Sequence, residues 1–281
     1  MKTFIKVWLS IGLIAIGVGI ALLITAAATG GTWRDIPTYS LDQTYQDVVR
    51  LDMEIGYGDV KIVEGNEFSI DADNLPENGL DSYVEDGTWF IREDYDNNLN
   101  IFGSNFSIRQ ILTWNEVFTP KITITIPEGF VAEDISFSIG AGNVEADTIN
   151  AKSGDFTVKA GRLIINQLTI DGKSQYNIGT GEMKLTNVDV EDIIVDCGVG
   201  HVLLEGTITG DNDITCGIGR VELDLDGDKA DYSYEVSAGI GRVVIDDNSY
   251  HDIDSKVIRE NDAENNLNLD CGIGEITVDF N

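Results

Sequence analysis

From Asp134 onward, apolar and polar residues alternate in short runs broken by paired glycines, and these runs recur at a nearly fixed interval. The units read FSIGAGNVEAD, FTVKAGRLIIN, YNIGTGEMKLT, VDCGVGHVLLE, ITCGIGRVELD, VSAGIGRVVID and LDCGIGEITVD. Their second glycines are Gly142, Gly161, Gly181, Gly200, Gly219, Gly241 and Gly274, at spacings of 19, 20, 19, 19, 22 and 33 residues. The period is therefore 19 to 20 residues, lengthened by two late insertions, and an earlier copy, MEIGYGDVKIV, centres on Gly58.

Aligned on the second glycine, the units form columns. Five positions before it stand Phe137, Phe156, Tyr176, Val195, Ile214, Val236 and Leu269; three before it stand Ile139, Val158, Ile178, Cys197, Cys216, Ala238 and Cys271. One before it stand Ala141, Ala160, Thr180, Val199, Ile218, Ile240 and Ile273. A spacing of two predicts a strand with one buried face, and all three columns read as inward. After the glycine the apolar columns fall at the second position, from Val144 to Ile276, and the fourth, from Ala146 to Val278. The inward parity has shifted by one residue, as at a bulge or corner, which glycine permits because it lacks a Cβ and tolerates positive φ.

A coil of this length cannot pair with itself as a hairpin, and no hairpin turn separates successive units, so coils stack as parallel strands ~4.8 Å apart. The predicted fold is all-β, a parallel β-solenoid of 19–20-residue coils stacked in chain order, over residues 48–281. An antiparallel β-sandwich of short strands would produce the same alternation, but not columns that keep their residue type through seven units. Residues from about 65 to 120 interrupt the repeat as a cap or insertion. Within it Tyr83 to Ile91 reads as a hairpin turning at Asp86-Gly87, and Lys121 to Pro127 follows as an alternating strand. The apolar stretch holding Phe102, Phe106, Ile111, Leu112, Trp114 and Phe118 is assigned to covering the open end of the stack, with an exposed ligand- or membrane-facing patch as the alternative.

The strand KITITIPEGF followed by glycine-turn-strand units resembles a family of bacterial extracytoplasmic proteins described as adhesins with β-strand repeats, a domain family of unknown function. The resemblance spans roughly residues 48 to 281. It implies a β-repeat fold, often with an N-terminal membrane segment, and no catalytic residues.

Val7 to Ala28 contains no charge, and as a helix at ~1.5 Å per residue it would span a bilayer. Residues 1–30 therefore read as a cytoplasmic stub and transmembrane anchor, followed by a linker over 31–47. Lys2 and Lys6 place the N-terminus inside and the repeat domain outside the cell membrane. A secretory signal peptide cleaved near Ala26-Ala27-Ala28 is the competing reading.

Of 18 basic residues, Lys2, Lys6 and Arg34 precede the domain, which leaves 15 bases against 49 acids and a formal charge of −34 after Arg34. Such a charge repels phosphate backbones and argues against a nucleic-acid partner. Against this background His201, Arg220 and Arg242 follow the turn glycine in successive coils and form a short basic stripe suited to a carboxylate or phosphate, unless Glu182, Glu222 and Glu275 neutralise it. Asp224, Asp226, Asp228 and Asp231 cluster oxygen donors around a glycine turn, a weak calcium signal that a solvated acidic loop explains as well. No other cofactor is indicated.

Cys197, Cys216 and Cys271 share an inward column and read as small buried hydrophobes carrying free thiols, with Cys271 set apart by the Ala238 layer. Two histidines without cysteines at ligand spacing argue against zinc, and no GxSxG motif supports a hydrolase. The chain thus reads as a non-enzymatic, membrane-anchored binding, adhesion or envelope-scaffold module with an envelope ligand or membrane-protein partner. The alternatives are an envelope-stress sensory protein acting through a membrane partner and a polysaccharide-acting enzyme.

Overall fold

The computed structural model describes residues 38–75, 79–93, 98–101, 104–107, 119–246, 248–258 and 263–281. The apolar run from Val7 to Ala28 lies outside them, and among the described residues no helix is long and apolar enough to cross a membrane.

Along the chain the strands are β1 (Tyr39–Tyr45), β2 (Arg50–Ile55), β3 (Asp59–Gly65), β4 (Phe68–Leu75), the hairpin of β5 (Asp81–Glu85) and β6 (Thr88–Arg92), the pair β7 (Asn98–Ile101) and β8 (Ser104–Ser107), and β9 (Lys121–Pro127). Five two-strand coils follow: β10 (Asp134–Ile139) with β11 (Asn143–Ala151), β12 (Gly154–Val158) with β13 (Arg162–Ile170), β14 (Ser174–Ile178) with β15 (Glu182–Glu191), β16 (Ile193–Cys197) with β17 (His201–Thr209), and β18 (Asp211–Cys216) with β19 (Arg220–Leu225). The long β20 (Tyr232–Ile245) turns back as β21 (Asn248–Ile258), and β22 (Asn265–Cys271) with β23 (Glu275–Phe280) completes the set.

The domain is all-β and solenoid-like. Strands that precede the glycine pairs form one parallel ladder, β6-β2-β10-β12-β14-β16-β18-β22-β20. Those that follow the pairs form a second, β9-β3-β11-β13-β15-β17-β19-β23-β20. Register keeps the columns stacked: Phe137, Phe156 and Tyr176 pair in consecutive layers, their ring centroids 5.6 and 5.3 Å apart. Ser174, buried beneath them, donates its hydroxyl to Tyr176 Oη at 3.0 Å, so this interior polar group is satisfied.

The coils do not stack in chain order. The last coil, β22–β23, inserts between β18–β19 and β20, so Cys271 lies beside Cys216 and the expected separation by the Ala238 layer is overturned. The reason is that β21 pairs antiparallel along one edge of β20 and leaves the other for a parallel coil. Antiparallel strands also close the opposite end, where β5 covers β6, β4 covers β9 and β1 covers β4. Strand β1 thus occupies residues expected to be linker. The Asp86-Gly87 hairpin forms as expected, with φ of 48° and 76°, and Trp89 is fully buried with Tyr45 and Phe68 around it. Phe102, Ile111, Leu112, Trp114 and Phe118 lie outside the described residues, as does the side chain of Phe106.

Candidate functional site

The paired glycines form a corner between the two ladders, and close approach rather than positive φ requires them. Of the eight second glycines only Gly58 has positive φ, at 141°. A Cβ on Gly219 would lie 2.1 Å from the Gly200 carbonyl oxygen, and one on Gly161, Gly181 or Gly274 2.2 to 2.3 Å from the glycine carbonyl of the adjoining coil. Real Cβ contacts do not reach such distances, so of the two reasons expected for glycine at this corner the missing Cβ holds and positive φ does not.

The residue between the two glycines points outward. Its backbone N–H is used by the adjoining layer, as in Ile218 N–H to Gly198 O at 2.8 Å and Ile273 N–H to Gly217 O at 2.7 Å, while the side chain projects from the corner. The column read as inward is therefore a surface ridge: Ala141, Ala160 and Thr180 are exposed. Val199, Ile218, Ile273 and Ile240 continue it in consecutive layers at 56%, 58%, 57% and 83% exposure. Four exposed aliphatic side chains in a row differ from the isolated ones that any surface carries.

Beside the ridge runs the stripe His201, Arg220, Glu275, Arg242, in register. The order of the coils places Glu275 between the two arginines, so His201 and Arg220 occupy successive layers but Arg242 does not follow them. Arg220 Nη2 lies 3.0 Å from Glu275 Oε2, and Arg242 Nε donates to Glu275 Oε1 at 2.7 Å. Glu222 lies 3.2 Å from Arg220 Nη1 and 3.5 Å from His201 Nε2. The Glu275 side chain is 17% exposed, whereas Arg220 and Arg242 are 54% and 59% exposed and keep part of each guanidinium at the surface. Arg220, Arg242, Ile240, Ile273, Ser249 and His251 line an open cleft of about 520 Å³ at this end of the stack. Aliphatic and cationic groups here share one concave surface.

The aspartates proposed for calcium do not converge; among the described residues no group of three or more His, Cys, Asp or Glu is placed to hold a metal ion. Asp228 instead accepts the Ala230 N–H at 2.9 Å and caps the short helical turn Lys229–Asp231, while Asp224 accepts from the Asn281 side chain. The three cysteines are free and buried, in consecutive layers. The hydrogen-bonded Cys197 thiol, with burial, pushes Cys216 up, and burial pushes Cys271 up to about 11.

Glu93 is a functional group of the fold that the repeat pattern did not single out. Inside the stack, the Gly140 and Ala141 N–H groups bond to the carbonyls of Ile55 and Gly56. Among the described residues no such layer lies beyond the first corner, and the Glu93 carboxyl group accepts Gly56 N–H at 2.9 Å and Tyr57 N–H at 3.0 Å instead. Burial pushes this carboxyl up to about 8. A carboxylate just after a strand that pairs with the first coil was the available signal, but without a motif it is indistinguishable from the other acids.

A family model described as Toastrack DUF4097 matches residues 51–279. No curated protein matches the sequence. Solved structures that it resembles include a protein provisionally described as an adhesin from Bacteroides fragilis, at 14% identity and a TM-score of 0.43 over 87% of this chain and 97% of that one. Another, provisionally described as a cell adhesion protein from Clostridium sporogenes, is 14% identical with a TM-score of 0.35 over 87% and 100%. A third, provisionally described as a lipid binding protein from Parabacteroides distasonis, is 12% identical with a TM-score of 0.38 over 86% and 97%.

Proposed function

The chain belongs to the Toastrack DUF4097 family, and on that footing we propose that its repeat domain is a non-catalytic binding or adhesion module facing outward from the cell, held to the membrane through residues 7–28. The observation that carries this reading is the ridge of Val199, Ile218, Ile273 and Ile240 beside Arg220 and Arg242. A stacked parallel sheet holds these groups in fixed register, which lowers the ordering entropy of binding. The arginines supply donors for carboxylate or phosphate, and the aliphatic corner supplies apolar contact area. The ligand class is an envelope polymer that carries such anionic groups on an apolar-compatible backbone. The domain's overall negative charge restricts anion binding to this local surface.

Co-sedimentation of the purified domain with an envelope fraction tests the reading. The domain should bind, and the double variant Ile240→Asp with Ile273→Asp should lose at least tenfold in affinity while melting as wild type does. Equal binding by a folded double variant would overturn the assignment.

A further inference from the structure

The cysteines occupy a column that packing alone would fill with any small hydrophobe, as Ile139, Val158, Ile178 and Ala238 do in other layers. Sulfur instead occupies three consecutive layers, Cys197, Cys216 and Cys271, the last joined to the others only because the final coil inserts out of chain order. All three side chains are at most 2% exposed in an interior of Val, Leu and Ile. In-register neighbours on parallel strands lie ~4.8 Å apart. A disulfide prefers Cβ atoms ~3.8 Å apart, closer than this ladder offers. A metal–sulfur bond is ~2.3 Å, so two in line span ~4.6 Å and match the ladder.

We propose that adjacent thiols of the Cys197–Cys216–Cys271 ladder, with Cys216 common to both pairs, bind one soft monovalent cation of the Cu(I) class in two-coordinate geometry. Thiolate sulfur selects such cations over hard ones. The exchange balances as one cation in and two protons out: M⁺ and two S–H groups give [M(SR)₂]⁻ and two H⁺ released to solvent, with no electron transferred. With the Cys197–Cys216 pair occupied, the third thiol, Cys271, is placed to donate its S–H to Cys216, and backbone hydrogen bonds from Glu275 and Arg242 reach Cys216 and Cys271. The sites a Cβ would take on Gly219, Gly274 and Gly241 lie 2.9, 2.8 and 2.7 Å from the Sγ atoms of Cys197, Cys216 and Cys271, so each sulfur packs directly against a corner glycine. Two donors suffice for this geometry, so the lack of a larger donor cluster among the described residues does not bear on it.

Anaerobic titration of the full-length protein with Cu(I) held by a coloured competing chelator tests the site. Wild type should take one Cu(I) per chain, develop a thiolate-to-metal band in the near ultraviolet and melt at a higher temperature. Cys216→Val should weaken uptake at least tenfold, whereas Cys197→Val should retain the Cys216–Cys271 pair and bind. If Cys216→Val does not fold, the Cys197→Val, Cys271→Val double variant, left with one thiol, should show the same loss. No uptake by folded wild-type protein, or uptake unchanged in the variant that lacks both Cys216 partners, would overturn the proposal.

Discussion

Cys216 lies in parallel register with Cys271, although the whole β20–β21 hairpin separates them in the chain. The same insertion sets Ile218 beside Ile273 and Arg220 beside Glu275, so one topological event assembles the thiol ladder, the aliphatic ridge and the ion-pair stripe. Each consequence is separately measurable.

The ridge makes two isoleucines of one unit respond in opposite ways to the same change. Ile218 is 58% exposed and Ile214 1% exposed. Ile218→Asp should change stability by no more than ~0.5 kcal/mol, while Ile214→Asp, which buries an unpaired carboxylate, should unfold the domain. Urea denaturation of both variants checks this, and equal destabilisation would place Ile218 back in the interior.

Close approach at the corner predicts that Gly219→Ala destabilises by ~1 to 3 kcal/mol through overpacking. Truncating the sulfur beneath it should not relieve the strain, because the Gly200 carbonyl, 2.1 Å from the added Cβ, remains in place. The Cys197→Ala, Gly219→Ala double variant should therefore melt no higher than Gly219→Ala alone. Full rescue would assign the glycine to the thiol rather than to the backbone.

Glu93 makes the first corner pH-dependent. Burial pushes its carboxyl up to about 8 from an ordinary 4.5, against hydrogen bonds from Tyr57 and Gly56, and the nearby Glu54 charge adds to the rise. The folded state holds this proton more tightly than the unfolded chain. Its contribution is full below the unfolded value and is lost as pH rises through about 8. Melting temperatures between pH 5 and 9 should fall more steeply for wild type than for Glu93→Gln, whose amide keeps an acceptor but cannot ionise. Parallel curves would show that Glu93 does not titrate in this window.

Much of the fold was legible because a coil repeats its own constraints. The stacked Phe137, Phe156 and Tyr176 and the Asp86-Gly87 hairpin follow from period and turn chemistry. The order of the last two coils was not legible, since the column residues of β20 and β22 fit either layer and only the antiparallel pairing of β21 decides between them. Period-two alternation misassigned Ile218 because the chain turns at Gly217 and Gly219, and alternation describes faces only while the strand runs straight. The basic stripe was legible as a column, but its partner Glu275 required the coil order.

Glu275 holds both arginines, so it governs how much positive charge the surface offers. Glu275→Gln should cost at most ~1 kcal/mol, because the arginine partners are half exposed, and should strengthen binding of a polyanionic envelope ligand, most clearly at low salt. Weaker binding would mean that the ligand relies on Glu275 itself or on arginines positioned by it.

Site-specific photo-crosslinking on intact cells tests most directly whether the ridge is the contact surface. A photoreactive residue placed at Ile218 or Ile273, both more than half exposed, should yield an adduct with envelope material. The same residue at Asp155 or Gln175, on the outward face of the leading ladder, should yield none. Adducts from Asp155 or Gln175 with none from Ile218 or Ile273 would contradict the account.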